Sequence, residues 1–350
     1  MIRTGEEYCT GLRDGREVWI DGERVQDVAV HPAFKPVVDH NARMYDMAHE
    51  SAWAEIMSYH EDNQRFSILL RPPTEKAHWH EKWHAIDTYL NDIRGILTRV
   101  GDETVGEMWS LYDGRDVLNE IYLRFGDNID RHIHRVLQQD IFHVSANTDP
   151  KGDRSKRPQD QDPDMMVHVV RETDAGIVLR GAKYETAASY ADQAFLKPTI
   201  ASWTGEQLSD YAVGCIVNMG SPGVKHLCRS GFAGRAPITR SPTTSTRSTN
   251  WSPRRCPGAM GGRVLLPPHP CRFVYPRDTA PLFGLPLCTT HPLHGRSHDR
   301  NGALWNVRQT GLDKLSTVRE KLADLVCYRE GINAPSSHQS SRRRRAQAGY

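Results

Sequence analysis

The chain has 350 residues, 38% of them hydrophobic and 25% charged, with a mean hydropathy of −0.61, which describes a globular protein with room for two or three domains. No run of about eighteen apolar residues is present to cross a bilayer. The opening MIRTGEEYCTGLRDG lacks the basic start and apolar middle of a secretory signal, so a cytoplasmic location and no membrane partner are expected. The net charge of +2 hides a split: residues 1–228 carry 25 Lys and Arg against 37 Asp and Glu, whereas residues 229–350 carry 20 against 6. Seven cysteines, at 9, 215, 228, 256, 271, 288 and 327, include no CxxC pair, which argues against a disulfide framework and a zinc ribbon.

In chain order, the first element is a hairpin. Residues 17–28, EVWIDGERVQDV, put Asp21-Gly22 between two β-prone runs, and His31-Pro32 closes the segment. A helix is predicted over roughly 39–60. After Pro72-Pro73, Thr74 is a candidate N-cap for a long helix whose Trp79, Trp83, Ile86, Leu90, Ile93, Leu97 and Val100 recur at spacings of three and four. Further helices are predicted over roughly 104–122 and 128–141, which makes the first 144 residues a mainly helical domain opened by a β-hairpin.

The period then changes. Met166–Arg171 and Ile177–Arg180 flank Asp174-Ala175-Gly176 as a second hairpin, and Gln193–Thr199 and Tyr211–Asn218 read as strands, so a β domain is expected over 145–228. Its opening loop, 145–164, is polar and longer than a connector needs, as functional or disordered loops are.

His80-Glu81-Lys82-Trp83-His84 matches HExxH, where two histidines one helical turn apart hold zinc and the glutamate activates water. A zinc hydrolase is therefore one alternative. The bland reading is that Trp79 and Trp83 pack inward while both histidines lie beside that stripe near the surface, and no third ligand stands out downstream.

Three further segments carry a resemblance. They are Arg3–Tyr8 with Leu12–Val25 and His31–Phe34; His143 with Thr148–Ser155 and Asp162–Asp164; and Gly176–Lys183 running on to Ala191-Asp192. In this order and spacing they resemble the two-component, FADH₂-dependent aromatic monooxygenases typified by 4-hydroxyphenylacetate 3-monooxygenase. The resemblance covers 1–228 and returns at Gln309–Lys314 and Glu330–Ala334. It implies an α+β, acyl-CoA-dehydrogenase-like fold with a helical N-terminal domain, a β-barrel-like middle domain and a C-terminal helical bundle that builds a homotetramer. It implies FAD as cofactor, reduced by a separate flavin reductase, and hydroxylation of a small phenol beside its hydroxyl with O₂. The cofactor carries the hard chemistry, while the protein orients the ring, excludes water and handles the phenol proton.

The resemblance also assigns residues. His143 is the expected catalytic group at the substrate hydroxyl, against the plain reading of a helix-end cap. Asp149, Lys151, Gly152, Arg154 and Ser155 form the expected flavin loop, against a solvated charged loop. Thr186 is placed at the flavin and Thr199 at the substrate, though either can be a simple strand threonine. Asp113 and Val117 stand where the hydroxyphenylacetate enzymes present Arg and Tyr, so a different phenol, chlorinated or larger, is expected. A dehydratase branch of the same fold needs cysteines for an iron–sulfur cluster, and none lies between Cys9 and Cys215.

The last third departs from this pattern. Between Arg229 and Arg300 there are eleven arginines, no lysine and only Asp278 and Asp299 as acids. An Arg-rich nucleic-acid-binding module over 229–350 is the second alternative. No helical or strand period accompanies the charge, and this bias is what a GC-rich gene yields when read out of frame, with junctions near residues 230, 300 and 335. The expectation is an irregular segment over 229–300, a remnant bundle helix over 301–334 with Leu312, Leu315, Val318, Leu322 and Leu325 on one face, and a basic tail over 335–350. Most of the bundle would then be missing, the remaining stripe exposed, and FAD binding weak.

Overall fold

The computed structural model describes residues 2–93, 100–121, 124–153, 155–173, 176–198, 206–229, 258–266, 307–309, 311–324 and 326–327. Helix α1 (Gly5–Gly11) starts at Thr4, whose hydroxyl accepts from the Glu7 amide while the Glu7 carboxylate accepts from Thr4 N, a reciprocal capping box. Strands β1 (Glu17–Ile20) and β2 (Glu23–Val25) form the expected hairpin. Asp21 (φ 50°) and Gly22 (φ 89°) are both left-handed, the backbone that a two-residue turn between right-twisted strands requires.

Helix α2 spans Lys35–Met47 and α3 only Ala54–Met57. The helix expected over 39–60 is thus cut short, because Ser58–Glu61 (β3) and Gln64–Ser67 (β4) pair as an antiparallel hairpin. Tyr59 and Phe66 lie opposite each other in it with ring centroids 5.6 Å apart, and Asp62 and Asn63 take the left-handed turn positions. Helix α4 (Lys76–Asp92) is capped by Glu75 rather than Thr74. Its buried face is Lys82, Ala85, Ile86, Tyr89 and Leu90, with Ile93 at its C-cap; Val100 is buried beyond the helix, Trp79 and Trp83 are half-buried, and Leu97 lies outside the described residues. The helix expected over 104–122 is broken at Gly114 into α5 (Asp102–Asp113) and α6 (Arg115–Ile121), and α7 runs Arg124–Gln139.

The remaining strands are β5 (His143–Ala146), β6 (His168–Thr173), β7 (Gly176–Glu185), β8 (Gln193–Leu196), β9 (Cys215–Asn218), β10 (Lys225–Cys228) and β11 (Gly258–Leu266). One sheet has the order β2-β1-β10-β11-β7-β6 and a second β5-β8-β9, with β5 parallel to β8. The opening hairpin is therefore part of the larger sheet, through parallel pairing of β1 with β10, and the expected boundary at 144/145 falls inside β5. One core of buried apolar residues runs from Tyr8 and Val18 through Met47, Ile86 and Val144 to Leu196 and Met219. A second lies under α5 and α7, with Leu118, Ile129, Val136 and Phe195 in it.

Strand β11 differs from the expectation of an irregular 229–300. It pairs with β10 on one side and along all nine of its residues with β7 on the other. A ladder is made of main-chain groups, so the unsatisfied edges of β7 and β10 select a partner strand even from a segment with no side-chain period. The other residues of 229–300, apart from Arg229, lie outside the described residues, as do 301–306 and 328–350. Residues 316–324 are helical, and Leu312 and Leu315 are about half exposed.

Candidate active site

Strand β5 presents alternate side chains to two environments. Val144 and Ala146 enter the main core, while His143 and Ser145 share the other face, roughly 6–7 Å apart along the strand. His143 is 1% exposed. Its Nδ1 lies 3.3 Å from the Ile141 carbonyl, which can only accept, so Nδ1 carries the proton and Nε2 the lone pair. That lone pair faces Nε2 of His132 at 3.3 Å, with the rings perpendicular and their centroids 5.3 Å apart. Burial pushes His143 down to about 4, and burial together with the neighbouring His143 and Arg135 pushes His132 down to about 3. Both imidazoles are neutral at pH 7.

The chain around His143 is held by the N-terminal segment. Arg3 forks onto Asp192 (2.6 and 3.2 Å) and donates to the Tyr45 hydroxyl (2.8 Å), and Asp192 also accepts from Phe142 N (2.8 Å). Arg3 N donates to Asp140, whose carboxyl burial raises to about 6. Tyr8 donates to the Tyr190 carbonyl at 2.6 Å, and Arg16 Nη1 donates to the Ser189 and Ala191 carbonyls at 2.9 Å each. Arg3, Tyr8 and Arg16 therefore act on the site by bracing residues 140–142 and 189–192.

Ser145 donates to Glu107 of α5 (3.1 Å), whose other carboxylate oxygen pairs with Lys197. Lys183 of β7 pairs with Asp149 and donates to the Lys197 carbonyl at 2.7 Å. Burial lowers the Lys183 ammonium from its ordinary value, and Asp149 opposes that shift. Asp149 is thus an anchor at the start of the loop, tied to β7. Beyond it, Lys151, Gly152, Asp153 and Ser155 are exposed. Asp153 Oδ1 accepts from Ser155 N and Oγ, and Gln161 accepts from Asp153 N. Gly152 (φ 45°) is packed so closely that a Cβ would lie 2.4 Å from Gln161 Oε1 and from Met165 Cε.

Thr186 is half-buried, with its amide and hydroxyl both donating to Glu185. Asp113 and Val117 are exposed, at the end of α5 and on α6. Arg154 and Thr199 lie outside the described residues. In the HExxH segment His80 and His84 are exposed and Glu81 is paired with Arg71, and no group of three or more metal-ligating side chains occurs among the described residues. His143 lies in a strand, so the helix-cap reading falls.

The sequence reading missed His132, Glu107, Ser145, Lys183 and Lys197. One signal was available: His132 stands on the buried stripe of α7 with Phe125, Ile129, Ile133 and Val136, a polar residue where the period calls for an apolar one.

A family model described as 4-hydroxyphenylacetate 3-hydroxylase N terminal matches residues 4–250. The chain belongs to this family. It is 28% identical over 236 residues to a 4-hydroxyphenylacetate 3-monooxygenase oxygenase component from Thermus thermophilus, covering 67% of this chain and 48% of that protein. It is 32% identical over 246 residues to a (3S)-3-amino-3-(3-chloro-4-hydroxyphenyl)propanoyl-(peptidyl-carrier protein SgcC2) monooxygenase from Streptomyces globisporus, covering 68% and 44%. It is 31% identical over 281 residues to the oxygenase component of a 4-nitrophenol 2-monooxygenase from a Rhodococcus species, covering 79% and 52%. The chain spans about half the length of these relatives. Its fold matches the crystal structure of the oxygenase component of 4-hydroxyphenylacetate 3-monooxygenase complexed with FAD, at TM-score 0.82 and 22% identity over 97% of this chain and 71% of that one. A steroid ACAD matches at TM-score 0.50, so the α+β, acyl-CoA-dehydrogenase-like class of the hydroxylase family is the class of this chain. Among the described residues no helix is long and apolar enough to cross a membrane.

Proposed function

We propose that this chain is the N-terminal and middle part of an oxygenase that uses reduced FAD and O₂ to hydroxylate a phenol ortho to its hydroxyl, with a separate flavin reductase as partner. Family membership over residues 4–250, with monooxygenase oxygenase components among the relatives, supports this reaction class. The observation in this chain that carries the reading is His143, a buried imidazole kept neutral with its lone pair on a defined nitrogen. A neutral imidazole can accept the phenol O–H and so raise the electron density of the ring at the position to be attacked. In that complex Nε2 exchanges the His132 N–H for the substrate hydroxyl.

The residues present suit a dinucleotide. Lys151 supplies an exposed cation, Ser155 and Thr186 have hydroxyls that turn to Asp153 and Glu185 and would have to turn to the ligand, and Gln159 Oε1 is a buried acceptor with no hydrogen-bond donor. Lys151, the Gly152 backbone, Arg154, Ser155 and Thr186 would hold FAD, with Asp149 fixing the loop through Lys183. When bound, FAD supplies the activation of O₂; the protein orients the phenol, excludes water and holds its proton at His143. Asp113, Val117 and Thr199 would set the choice of phenol. A substrate other than 4-hydroxyphenylacetate fits an acidic residue at 113, and two relatives are named for a chlorinated hydroxyphenyl group and a nitrophenol.

The test is turnover of a phenol panel with chemically reduced FAD, measuring catechol and hydrogen peroxide separately. His143→Ala is expected to lose about 10²–10⁴-fold in catechol formation, the usual worth of a general base. Catechol formation at the parental rate in that variant would remove His143 from the mechanism.

A further inference from the structure

Helix α7 turns Phe125, Ile129, Ile133 and Val136 inward, and among these apolar side chains stands His132, whose Nε2 meets Nε2 of His143 at 3.3 Å. Two facing imidazole nitrogens form a hydrogen bond only if one is protonated and the other is not. The Ile141 carbonyl, 3.3 Å from Nδ1 of His143, favours one assignment: His143 protonated at Nδ1, His132 the donor and His143 Nε2 the acceptor. An apolar residue at 132 would extend the stripe without interruption, but would leave a buried acceptor without its donor.

We propose that His132 is a positioning residue for the site: its Nε2–H selects the Nδ1–H tautomer of His143 and aims the Nε2 lone pair toward α7, where the substrate hydroxyl is to be received. The role rests on the phenol reading of His143 and deepens it. The charged and polar groups around the pair are Arg135 on α7, Arg3 and Asp192 behind the strand, and Gln193 on β8. The Ile141 carbonyl, Asp192 and the Gln193 side chain favour the protonated form of His143 and Arg3 opposes it, while Arg135 disfavours protonation of His132. Burial outweighs all of them, so the pair stays neutral and tautomer choice, rather than charge, is what His132 controls.

The experiment is nitrogen-15 NMR of the imidazole rings in the full chain labelled at histidine, assigned with His143→Gln and His132→Gln. In the parent, His143 is expected to show a protonated Nδ1 and an unprotonated Nε2, with a titration midpoint near 4. In His132→Ala, water reaches the ring, the two tautomers mix, and the midpoint rises by a unit or more toward 6.5. His132→Gln places an amide N–H at nearly the same reach and restores the parental tautomer and midpoint, which a purely space-filling role does not predict. A parent His143 protonated at Nε2 overturns the proposal, and so does a His132→Ala variant with unchanged tautomer and midpoint. If His132→Ala does not fold, the parent and His132→Gln spectra still decide. These readouts concern the ring alone. A catalytically silent His143→Ala would therefore retire the phenol reading and leave the tautomer assignment standing, whereas the opposite NMR result would retire the role of His132 alone.

Discussion

Lys183 and Asp149 offer the sharpest stability test, because their side chains are only 2% and 7% exposed and each faces the other's charge. Asp149→Asn removes the carboxylate and leaves the Lys183 ammonium to the Lys197 carbonyl at 2.7 Å. Removing one member of a buried ion pair costs about 3–5 kcal/mol, since the remaining charge keeps its desolvation penalty. The pH dependence follows from the sign of the lysine shift. Burial already lowers the folded-state pKa of Lys183, and Asp149 is the largest opposing influence, so in Asp149→Asn the folded pKa falls further below 10.5. Between that lowered value and 10.5 the unfolded chain binds the proton and the folded chain does not, so the penalty shrinks as pH rises, by up to about 1.4 kcal/mol per unit. Urea unfolding at several pH values between 7 and 10 measures this. The double variant Lys183→Met with Asp149→Leu, which removes both charges, should recover most of the loss. A variant within about 1 kcal/mol of the parent and flat with pH would show that this pair does not anchor the loop.

Acid should expose the neutral imidazoles. The folded values of about 4 for His143 and about 3 for His132 lie below 6.5, so the unfolded chain binds their protons first, and stability falls as pH drops from 6.5 toward 4, by about 3 kcal/mol for His143 alone. Asp140, raised to about 6, acts in the opposite sense between 6 and 3.8, so Asp140→Asn should steepen the acid loss in denaturant titrations. Gly181→Ala should be among the worst small substitutions, because at φ 126° its Cβ would sit 2.4 Å from the Met166 carbonyl, and a loss of more than about 3 kcal/mol is expected. Gly22→Ala, with φ 89° but open space around it, should cost only about 1 kcal/mol, and parallel thermal melts compare the two.

Local chemistry made some elements readable. Asp21-Gly22 fixed a hairpin, and the apolar period of residues 86–93 a buried helical face. Where competing local signals were weak, the reading failed. The Asp62-Asn63 turn lacks the glycine that marks such turns, so β3 and β4 were absorbed into a helix, and Gly114 was too isolated to mark the break between α5 and α6. Of the candidate site, His143 and the loop after Asp149 were named by resemblance. Lys183, Glu107 and Lys197 were not, because a charged residue inside a strand or helix reads as a solvated one until its partner is known.

What the chain determined by itself is what acts over a few residues: turns, caps, helical faces, and motifs whose order names the family. What only the tertiary structure decided is what joins residues far apart in sequence. Arg3 meets Asp192, Asp149 meets Lys183, and β11 fills the gap between β7 and β10. His132, eleven positions before His143 and on a different element, comes to face it, Nε2 to Nε2, at 3.3 Å. Burial is the reason for the difference. The low dielectric that keeps both imidazoles neutral, and makes each ion pair costly to break, exists only once α5, α7 and the two sheets have closed around them.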